Sequence, residues 1–130
     1  MGASVVICDD TDDIRMVLEI LLRREGYDVV STRTGEEGLR AVLRTRPDMV
    51  ILDVGLPELD GWQVLAGIRT ISSVPIVMLT GHSSIADKAQ GLRGGVTAYM
   101  TKPFNNGALL RTVRDFIEHG DGGGNRAGDG

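Results

Sequence analysis

Short apolar runs of strand length alternate along most of this chain with longer stretches whose apolar residues recur at the helical period. The apolar runs lie at residues 4–8, 28–32, 49–53, 75–80 and 97–101. The helical stretches lie at residues 12–25, 36–45, 62–70, about 84–93 and about 106–119. Five strands that alternate with five helices predict a parallel sheet covered by helices on both faces.

The apolar run at residues 49–53 is the most strongly apolar, and we expect it to form a central strand. In the second helical stretch, the spacing predicts that Leu39, Val42 and Leu43 face the core. In the first stretch, the residues at helical spacing are Ile14, Val17, Leu18, Leu21 and Leu22. Each helix is thus expected to cover the sheet with one apolar face.

Length and composition predict one globular domain with a short extension. The 130 residues suit a single domain, expected over residues 1–119, and 42% of them are hydrophobic. Residues 120–130 contain six glycines and no apolar anchor, which predicts a flexible tail or linker, or equally the end of an expressed fragment.

Charge, hydropathy and cysteine content argue against several settings. A net charge of −4 without a basic run argues against direct nucleic-acid binding. No apolar stretch reaches the roughly 20 residues that span a bilayer, and the N-terminus lacks the pattern of a signal peptide, so no membrane partner is expected. The single Cys8 excludes an intrachain disulfide and favours a reducing, cytoplasmic location.

Polar residues stand where four of the five predicted strands end. Asp9 and Asp10 follow the first strand, Asp53 ends the third, Thr80 ends the fourth, and Lys102 follows the fifth. The carboxyl ends of parallel strands meet at one edge of a sheet, where ligands bind in doubly wound folds. We therefore expect three carboxylates, one hydroxyl and one ammonium group to converge at that edge.

Three adjacent carboxylates repel one another unless a cation neutralises them. Oxygen ligands favour a hard cation, Mg²⁺ before Ca²⁺ or Mn²⁺, and so small a set leaves a position open for a phosphoryl oxygen. Lys102 adds a positive charge for the same group, and the Thr80 hydroxyl can donate to a second phosphoryl oxygen. The chain has no Walker-type nucleotide loop, which leaves a carboxylate that itself takes the phosphoryl group as an acyl phosphate.

Asp12 and Asp13 stand close to this acidic pair but are predicted to serve a different purpose. Both fall in the first turn of the first predicted helix. Carboxylates there interact favourably with the helix dipole, typically by ~0.3–1 kcal/mol. We therefore assign these two residues to the start of the helix and not to the metal.

Four segments resemble the response-regulator receiver domains of two-component signalling: CDDTDDIR, PDMVILDVGLPELDG, PIVMLTG and GGVTAYMTKPF. Their order along the chain matches that family from Ser4 to about His119. The resemblance implies a single doubly wound, flavodoxin-like α/β domain with five parallel strands in the order 2-1-3-4-5. It also implies a cis peptide bond between Lys102 and Pro103.

The resemblance implies that Asp53 accepts a phosphoryl group from the phosphohistidine of a histidine kinase or phosphotransfer protein. Asp9, Asp10, Asp53 and the backbone carbonyl of Gly55 would bind Mg²⁺, with Asp9 acting partly through water. Such a protein is a phosphoacceptor switch that assists its own phosphorylation and dephosphorylation, rather than an enzyme in the usual sense.

The resemblance further implies that Thr80 and Lys102 hold the phosphoryl oxygens after transfer. By the same resemblance, the ring of Tyr99 would turn inward when Thr80 moves, which would change the face made by the helix near residues 84–93, the fifth strand and the last helix. His82 is a candidate for tuning water access to the acyl phosphate. The output would be a downstream protein or a C-terminal output domain absent from this chain.

Two alternatives from other classes remain open at this point. An aspartate-nucleophile phosphatase usually needs a second acid two residues after the nucleophile, where this chain has Gly55. A degenerate receiver would act only as a docking module, without phosphate. Dimerisation also stays open, because the family often has two acids where this chain has Thr97 and Ala98. Those acids help to form the symmetric dimer of winged-helix transcription factors, so that dimer is not expected.

Overall fold

The computed structural model describes residues 2–81 and 94–119, and the elements below belong to those ranges. The strands are β1 (Ser4–Cys8), β2 (Asp28–Thr32), β3 (Met49–Asp53), β4 (Ile76–Thr80) and β5 (Ala98–Thr101). The helices are α1 (Asp12–Arg24), α2 (Gly35–Thr45), α3 (Gly61–Arg69) and α4 (Asn106–His119). The helix predicted near residues 84–93, His82 and the glycine-rich segment 120–130 lie outside the described residues.

The five strands form one sheet in the order β2-β1-β3-β4-β5, and every neighbouring pair is parallel. This is the doubly wound, flavodoxin-like arrangement that the sequence predicted, with β3 in the centre. The register pairs Val5 of β1 with Met49 of β3, and Val50 of β3 with Ile76 of β4. Parallel register brings the carboxyl ends of β1, β3, β4 and β5 to the same edge of the sheet.

Alternate residues of the central strands point to opposite faces, and among the described residues each face packs against two helices. One core contains Val6, Val50, Leu52 and Met78 together with residues of α2 and α3. The other contains Val5, Ile7, Ile51 and Leu79 together with residues of α1 and α4. Both faces of the central strands are covered, so β1, β3 and β4 are apolar along most of their length. Each fully buried aliphatic side chain contributes about 1.5–3 kcal/mol.

The start of α3 follows a local capping signal. The side chain of Asp60 accepts a hydrogen bond from the backbone N–H of Gln63, and the Gln63 side chain accepts one from the Asp60 N–H. This capping box begins α3 one residue earlier than the periodicity predicted, at Gly61. The helix α1 carries Asp12 and Asp13 in its first turn, as expected.

The prediction that Leu43 faces the core is wrong, because 57% of its surface is exposed. The buried stripe of α2 consists of Gly35, Gly38, Ala41 and Val42, and small residues there let the helix lie close to the sheet. Leu43 follows Val42 by a rotation of about 100°, which carries it past the edge of that stripe.

In α1, Val17 is likewise 41% exposed, although it shares the helical spacing of the buried Leu18 and Leu22. The same helix exposes Met16 and Ile20. The apolar surface of α1 is therefore wider than the sheet beneath it can cover. Within the described ranges, no helix combines the length and the hydrophobicity that a membrane span requires.

Candidate functional site

The carboxyl edge of the sheet brings together the polar residues predicted from the strand ends. Hydrogen bonds extend the ladder past the strands: Asp9 N–H donates to Thr32 O at 3.1 Å, and Lys102 N–H donates to Thr80 O at 2.7 Å. Asp53, the last residue of β3, pairs in register with Leu79 of β4. Continuous backbone pairing thus sets the positions of the side chains at this edge.

Asp9, Asp10 and Asp53 form a compact acidic cluster. Each supplies one carboxylate oxygen, and these oxygens all lie within 4.8 Å of one another. Asp9 is 1% exposed and Asp53 is 6% exposed, whereas Asp10 is exposed to solvent. The cluster therefore has two buried members and one that borders the solvent, which leaves a side open for a ligand.

Lys102 lies between the two buried carboxylates. Its Nζ is 3.0 Å from Asp53 Oδ1 and 3.1 Å from Asp9 Oδ2. Apart from this ion pair, Asp9 Oδ2 accepts no hydrogen bond of standard geometry from the described residues, although it is fully buried. The peptide bond between Lys102 and Pro103 is cis, as the resemblance implied.

Burial and mutual repulsion alter the titration of this cluster. Burial raises the pKa of the Asp53 carboxyl above its usual range, and the charge of Asp9 acts in the same direction, while the hydrogen bond from Lys102 opposes it. Burial by itself lowers the pKa of Lys102, but its contacts with Asp53 and Asp9 outweigh burial and raise that pKa. The ammonium group is thus held in its charged form by the carboxylates that it joins.

The loop between β1 and α1 is held by several contacts at once. Asp9 Oδ1 accepts a hydrogen bond from Thr11 N at 2.9 Å, and Arg15 Nη1 donates to the backbone O of Asp9 at 3.0 Å. Arg15 Nη2 also pairs with Asp12, which in turn contacts Arg33 Nη2 at 3.0 Å. Hydrogen bonds from Arg15 and then Arg33 lower the pKa of the Asp12 carboxyl.

Asp12 and Asp13 lie outside the acidic cluster. Of the residues that the structure describes, the acidic group close enough for a shared metal consists of Asp9, Asp10 and Asp53. Asp12 is engaged with two arginines, and Asp13 lies in the first turn of α1. The prediction that Asp12 and Asp13 begin the first helix is confirmed, and the assignment of Asp9 and Asp10 to a metal stays a prediction.

The loop after β3 approaches the site through two glycines. The N–H of Gly55 donates to Asp53 Oδ1 at 3.4 Å, and Gly55 itself is exposed. A Cβ at Gly61 would lie 2.4 Å from the backbone O of Asp53, so only glycine allows α3 to begin so close to the acidic cluster.

The two residues predicted to form the switch lie on neighbouring strands. Thr80 is 2% exposed at the end of β4, and Tyr99 is half-buried in β5, where it pairs in register with Met78. The ring of Tyr99 stacks with that of Trp62, with centroids 6.4 Å apart and an interplanar angle of 26°. His82, the predicted tuning residue, is not among the described residues.

A groove of about 380 Å³ lies beside the acidic cluster. It runs between α1 and the loop after β5 and is lined by Asp13, Ile14, Val17, Lys102, Pro103, Phe104 and Asn106. A groove of about 430 Å³ near the opposite edge of the sheet is lined by Val42, Leu43, Arg46, Pro47, Ile71 and Ser72. The larger groove has no carboxylate among the described residues of its lining, so the groove beside the acidic cluster is the better candidate for a functional one.

Sequence reasoning did not identify Arg15 or the contact between Trp62 and Tyr99 as features of the site. The spacing of Asp12 and Arg15 does allow an ion pair across one helical turn. The contact of Arg15 with the backbone of Asp9 and the stacking of two rings 37 positions apart have no such local signal. Both depend on how loops and strands meet in the folded chain.

A family model described as the response regulator receiver domain matches residues 5–114. The probable transcriptional regulator ycf27 of Porphyridium aerugineum is 39% identical over 118 residues, which cover 91% of this chain and 49% of that protein. The transcriptional regulatory protein AfsQ1 of Streptomyces coelicolor is 36% identical, over 91% of this chain and 52% of its own length. The chain thus spans about half the length of these curated relatives.

Solved structures of the same architecture agree with this match. The chemotaxis protein CheY4 of Vibrio cholerae superposes with a TM-score of 0.84 at 33% identity, covering 88% of this chain and 98% of that one. The receiver domain of the sensor histidine kinase PA1611 from Pseudomonas aeruginosa PAO1 has a TM-score of 0.83 at 30% identity, covering 91% and 99%. That receiver domain holds a magnesium ion coordinated in its active site cleft.

Proposed function

The chain belongs to the response-regulator receiver family of two-component signalling, and from that premise we propose that Asp53 is its phosphoacceptor. The phosphoryl donor is a phosphohistidine on a histidine kinase or phosphotransfer protein, and the reaction depends on Mg²⁺. The observation that carries the proposal is a buried Asp53 carboxylate at a strand end, within 4.8 Å of Asp9 and Asp10 and 3.0 Å from Lys102.

The acidic cluster fits a hard divalent cation. All of its side-chain ligands are oxygens, one side is open, and the buried Asp9 Oδ2 has a lysine as its one charged partner among the described residues. We propose that Asp9, Asp10, Asp53 and the backbone carbonyl of Gly55 hold Mg²⁺. When bound, the ion offsets the negative charge that carboxylates and phosphoryl oxygens bring together.

Asp53 has one oxygen available as the nucleophile. Both hydrogen bonds that reach its carboxylate from the described residues end on Oδ1, from Lys102 Nζ and from Gly55 N. Oδ2 can therefore attack the phosphorus of phosphohistidine. An O–P bond forms, the N–P bond breaks, and the imidazole nitrogen keeps its electron pair.

After transfer, the acyl phosphate adds negative charge beside groups that can stabilise it. Lys102 already lies at this position and supplies a positive charge, and the hydroxyl of Thr80 donates to a phosphoryl oxygen. We propose that the accompanying shift of Thr80 changes the position of Tyr99 and thus the face formed by β5, α4 and the helix predicted near residues 84–93. The charge of the phosphoryl group on Asp53 then shifts the population between two arrangements of that face.

The phosphohistidine partner needs a surface next to Asp53, and α1 offers one. Met16, Val17 and Ile20 are exposed apolar residues on this helix, and Val17 also lines the groove beside Lys102. Exposed apolar residues next to a reactive site favour the docking of a partner protein. We propose that the helix carrying the phosphohistidine packs against this surface.

The output follows from the changed face and is read by another protein or by a further domain of a longer chain. The curated relatives named above are transcriptional regulators about twice as long as this chain. The complete reading frame of the gene separates the two routes.

Phosphorylation by a small donor tests the assignment of Asp53. With acetyl phosphate and Mg²⁺, the intact protein is expected to gain the mass of one phosphoryl group, and chelation of Mg²⁺ should prevent the gain. Asp53→Asn should abolish it because the nucleophile is lost, whereas Asp13→Asn, which removes a nearby exposed acid, should keep it. Labelling of Asp53→Asn at the unsubstituted level would overturn the proposal.

The same preparation discriminates the two rival functions. Steady turnover of a phosphomonoester by the purified protein would favour an aspartate-nucleophile phosphatase over a phosphoacceptor switch. Absence of both labelling and any Mg²⁺ binding would favour a receiver that serves only for docking.

A further inference from the structure

Arg15 is the least exposed arginine among the ion pairs of the described residues. Its side chain is 13% exposed, compared with 55% for Arg23, 62% for Arg33 and 65% for Arg40. Removing a guanidinium group from water has a cost that surface pairs do not bear. The contacts that Arg15 makes must therefore offset this cost.

Those contacts connect α1 to the backbone of the acidic loop. Nη1 donates to the main-chain O of Asp9 at 3.0 Å, and Nη2 pairs with the carboxylate of Asp12. The carbonyl of Asp9 belongs to the peptide group that joins Asp9 to Asp10. Arg15 thus holds the plane of that peptide, and with it the direction in which Asp10 leaves the loop.

Asp10 depends on this support more than its neighbour does. Asp9 is held by its N–H to Thr32 O, by Oδ1 to Thr11 N, and by Oδ2 to Lys102. Asp10 is exposed, and its side chain makes no hydrogen bond with the described residues. Its place in the acidic cluster is therefore set by the backbone on either side of it.

The charge of Arg15 has opposing effects at this position, and its ion pair with Asp12 is the favourable one. Arg15 lies in the first turn of α1, where the helix dipole disfavours positive charge. A positive charge next to the acidic cluster also weakens its attraction for a divalent cation. None of these charge effects requires the hydrogen bond from Nη1 to the Asp9 carbonyl, which fixes the geometry of the loop.

We propose that Arg15 is a positioning residue for the metal site: by holding the peptide between Asp9 and Asp10, it keeps the Asp10 carboxylate turned toward the acidic cluster. This inference rests on the proposed Mg²⁺ site. It assigns a role to a side chain that does not contact the ion and that acts through the backbone of Asp9, a proposed metal ligand. Groups that orient metal ligands typically change metal affinity by about 10–100-fold when they are removed.

The direction of the change in Mg²⁺ affinity tests the proposal, because the two explanations of Arg15 predict opposite signs. If Arg15 acts only as a charge, Arg15→Gln removes a repelling cation and Mg²⁺ should bind more tightly. If Arg15 positions Asp10, Arg15→Gln should weaken Mg²⁺ binding by about tenfold. Calorimetric titration with MgCl₂ at constant ionic strength measures this difference without any phosphoryl transfer.

Two arginines of the chain provide matched controls. Arg33→Gln removes a cation that contacts Asp12 but not the backbone of Asp9, so Mg²⁺ affinity should stay the same or rise. Arg23→Gln removes an ion pair with Glu19 on the same helix and should leave Mg²⁺ affinity unchanged. Arg15→Lys keeps the charge but lacks the two-pronged geometry, so its Mg²⁺ affinity should lie between those of Arg15→Gln and the unsubstituted protein. If Arg15→Gln does not fold, Arg15→Lys replaces it in the test.

A second measurement reads the loop without metal. Hydrogen exchange at the amides of Asp10 and Thr11 should be faster in metal-free Arg15→Gln than in the unsubstituted protein, and unchanged in Arg33→Gln. Equal or tighter Mg²⁺ binding by Arg15→Gln, with unchanged hydrogen exchange, would overturn the role of Arg15 but not the proposed Mg²⁺ site. Failure of the unsubstituted protein to bind Mg²⁺ would overturn the metal site itself and this inference with it.

Discussion

The interior of β3 and its last residue are buried to almost the same extent, yet they have opposite effects on stability. Met49–Leu52 are at most 1% exposed and contact apolar neighbours, and Asp53, the next residue, is 6% exposed and carries a charge. Apolar burial stabilises the fold by about 1.5–3 kcal/mol per large side chain. A buried carboxylate costs free energy unless it is paired, so Asp53 depends on its contact with Lys102.

Substitutions in the interior of β3 and at its last residue test this difference most directly. Ile51→Ala leaves a cavity in a core that cannot fully relax, and we expect the free energy of unfolding to fall by about 4 kcal/mol. Asp53→Asn, two residues away, should not lower it at neutral pH. Urea unfolding without Mg²⁺, followed by the fluorescence of Trp62, measures both variants.

The sign for Asp53→Asn follows from its raised pKa. The proton that Asp53 holds in the folded protein stabilises the fold at low pH, and this contribution is lost as the pH rises through the raised pKa. At neutral pH the ionised carboxylate is therefore unfavourable, and a neutral amide removes that cost. A loss of stability in Asp53→Asn as large as in Ile51→Ala would refute the comparison.

We expect Lys102 to offset the free-energy cost of burying the carboxylates of Asp9 and Asp53. Lys102→Met leaves Asp9 and Asp53 buried without their shared cation, and we expect destabilisation by roughly 3 kcal/mol in the absence of metal. Mg²⁺ should restore much of this loss, because it neutralises the same carboxylates. Thermal unfolding with and without MgCl₂ tests this, and Lys102→Met as stable as the unsubstituted protein in chelator would contradict it.

Proton and metal should compete for Asp53. Because the pKa of Asp53 is raised, we expect Mg²⁺ affinity to be constant at neutral pH. As the pH is lowered, the affinity should begin to fall at a higher pH than it would for an aspartate with the ordinary pKa of 3.8. Below that pKa the affinity should fall about tenfold per pH unit, since one proton must leave before the ion binds. Titrations across pH in the unsubstituted protein and in Asp53→Asn separate this proton from the others. An identical pH profile in both would show that Asp53 is not the competing group.

The smallest expected effect extends the comparison from the sheet to the surface. Met16 and Leu43 are both 57% exposed, but Met16 lies on α1 beside the carboxyl edge and Leu43 lies near the opposite edge. We expect Met16→Glu to slow phosphoryl transfer from a phosphohistidine protein by about fivefold, as for a moderate contact in an interface. Labelling by acetyl phosphate should not change, because a small donor needs no docking surface.

Leu43→Glu is the matched control for Met16→Glu. It places the same charge at an equally exposed apolar position and should leave both donors unaffected. Equal slowing by the two variants would show that general surface charge, and not docking on α1, controls the transfer.

Much of the fold could be predicted because its signals are local. The apolar run that ends at Asp53, the helical spacing of Leu18 and Leu22, and the cap at Asp60 each need only a few neighbouring residues to be read. Leu43 was misplaced because helical spacing identifies an apolar stripe but not how far the sheet extends beneath it. The small residues of α2 bring that helix close to the sheet and leave Leu43 outside the contact.

By itself, the sequence determined the parallel sheet and the polar residues at its carboxyl edge, because strand length, helical period and strand-end residues are properties of short segments. Only the tertiary structure decided that Lys102 joins Asp9 and Asp53, that Arg15 holds the backbone of Asp9, and that Tyr99 stacks with Trp62. These contacts join residues from different elements or depend on the path of a loop. Their distances arise from the packing of the whole domain, which no short segment encodes.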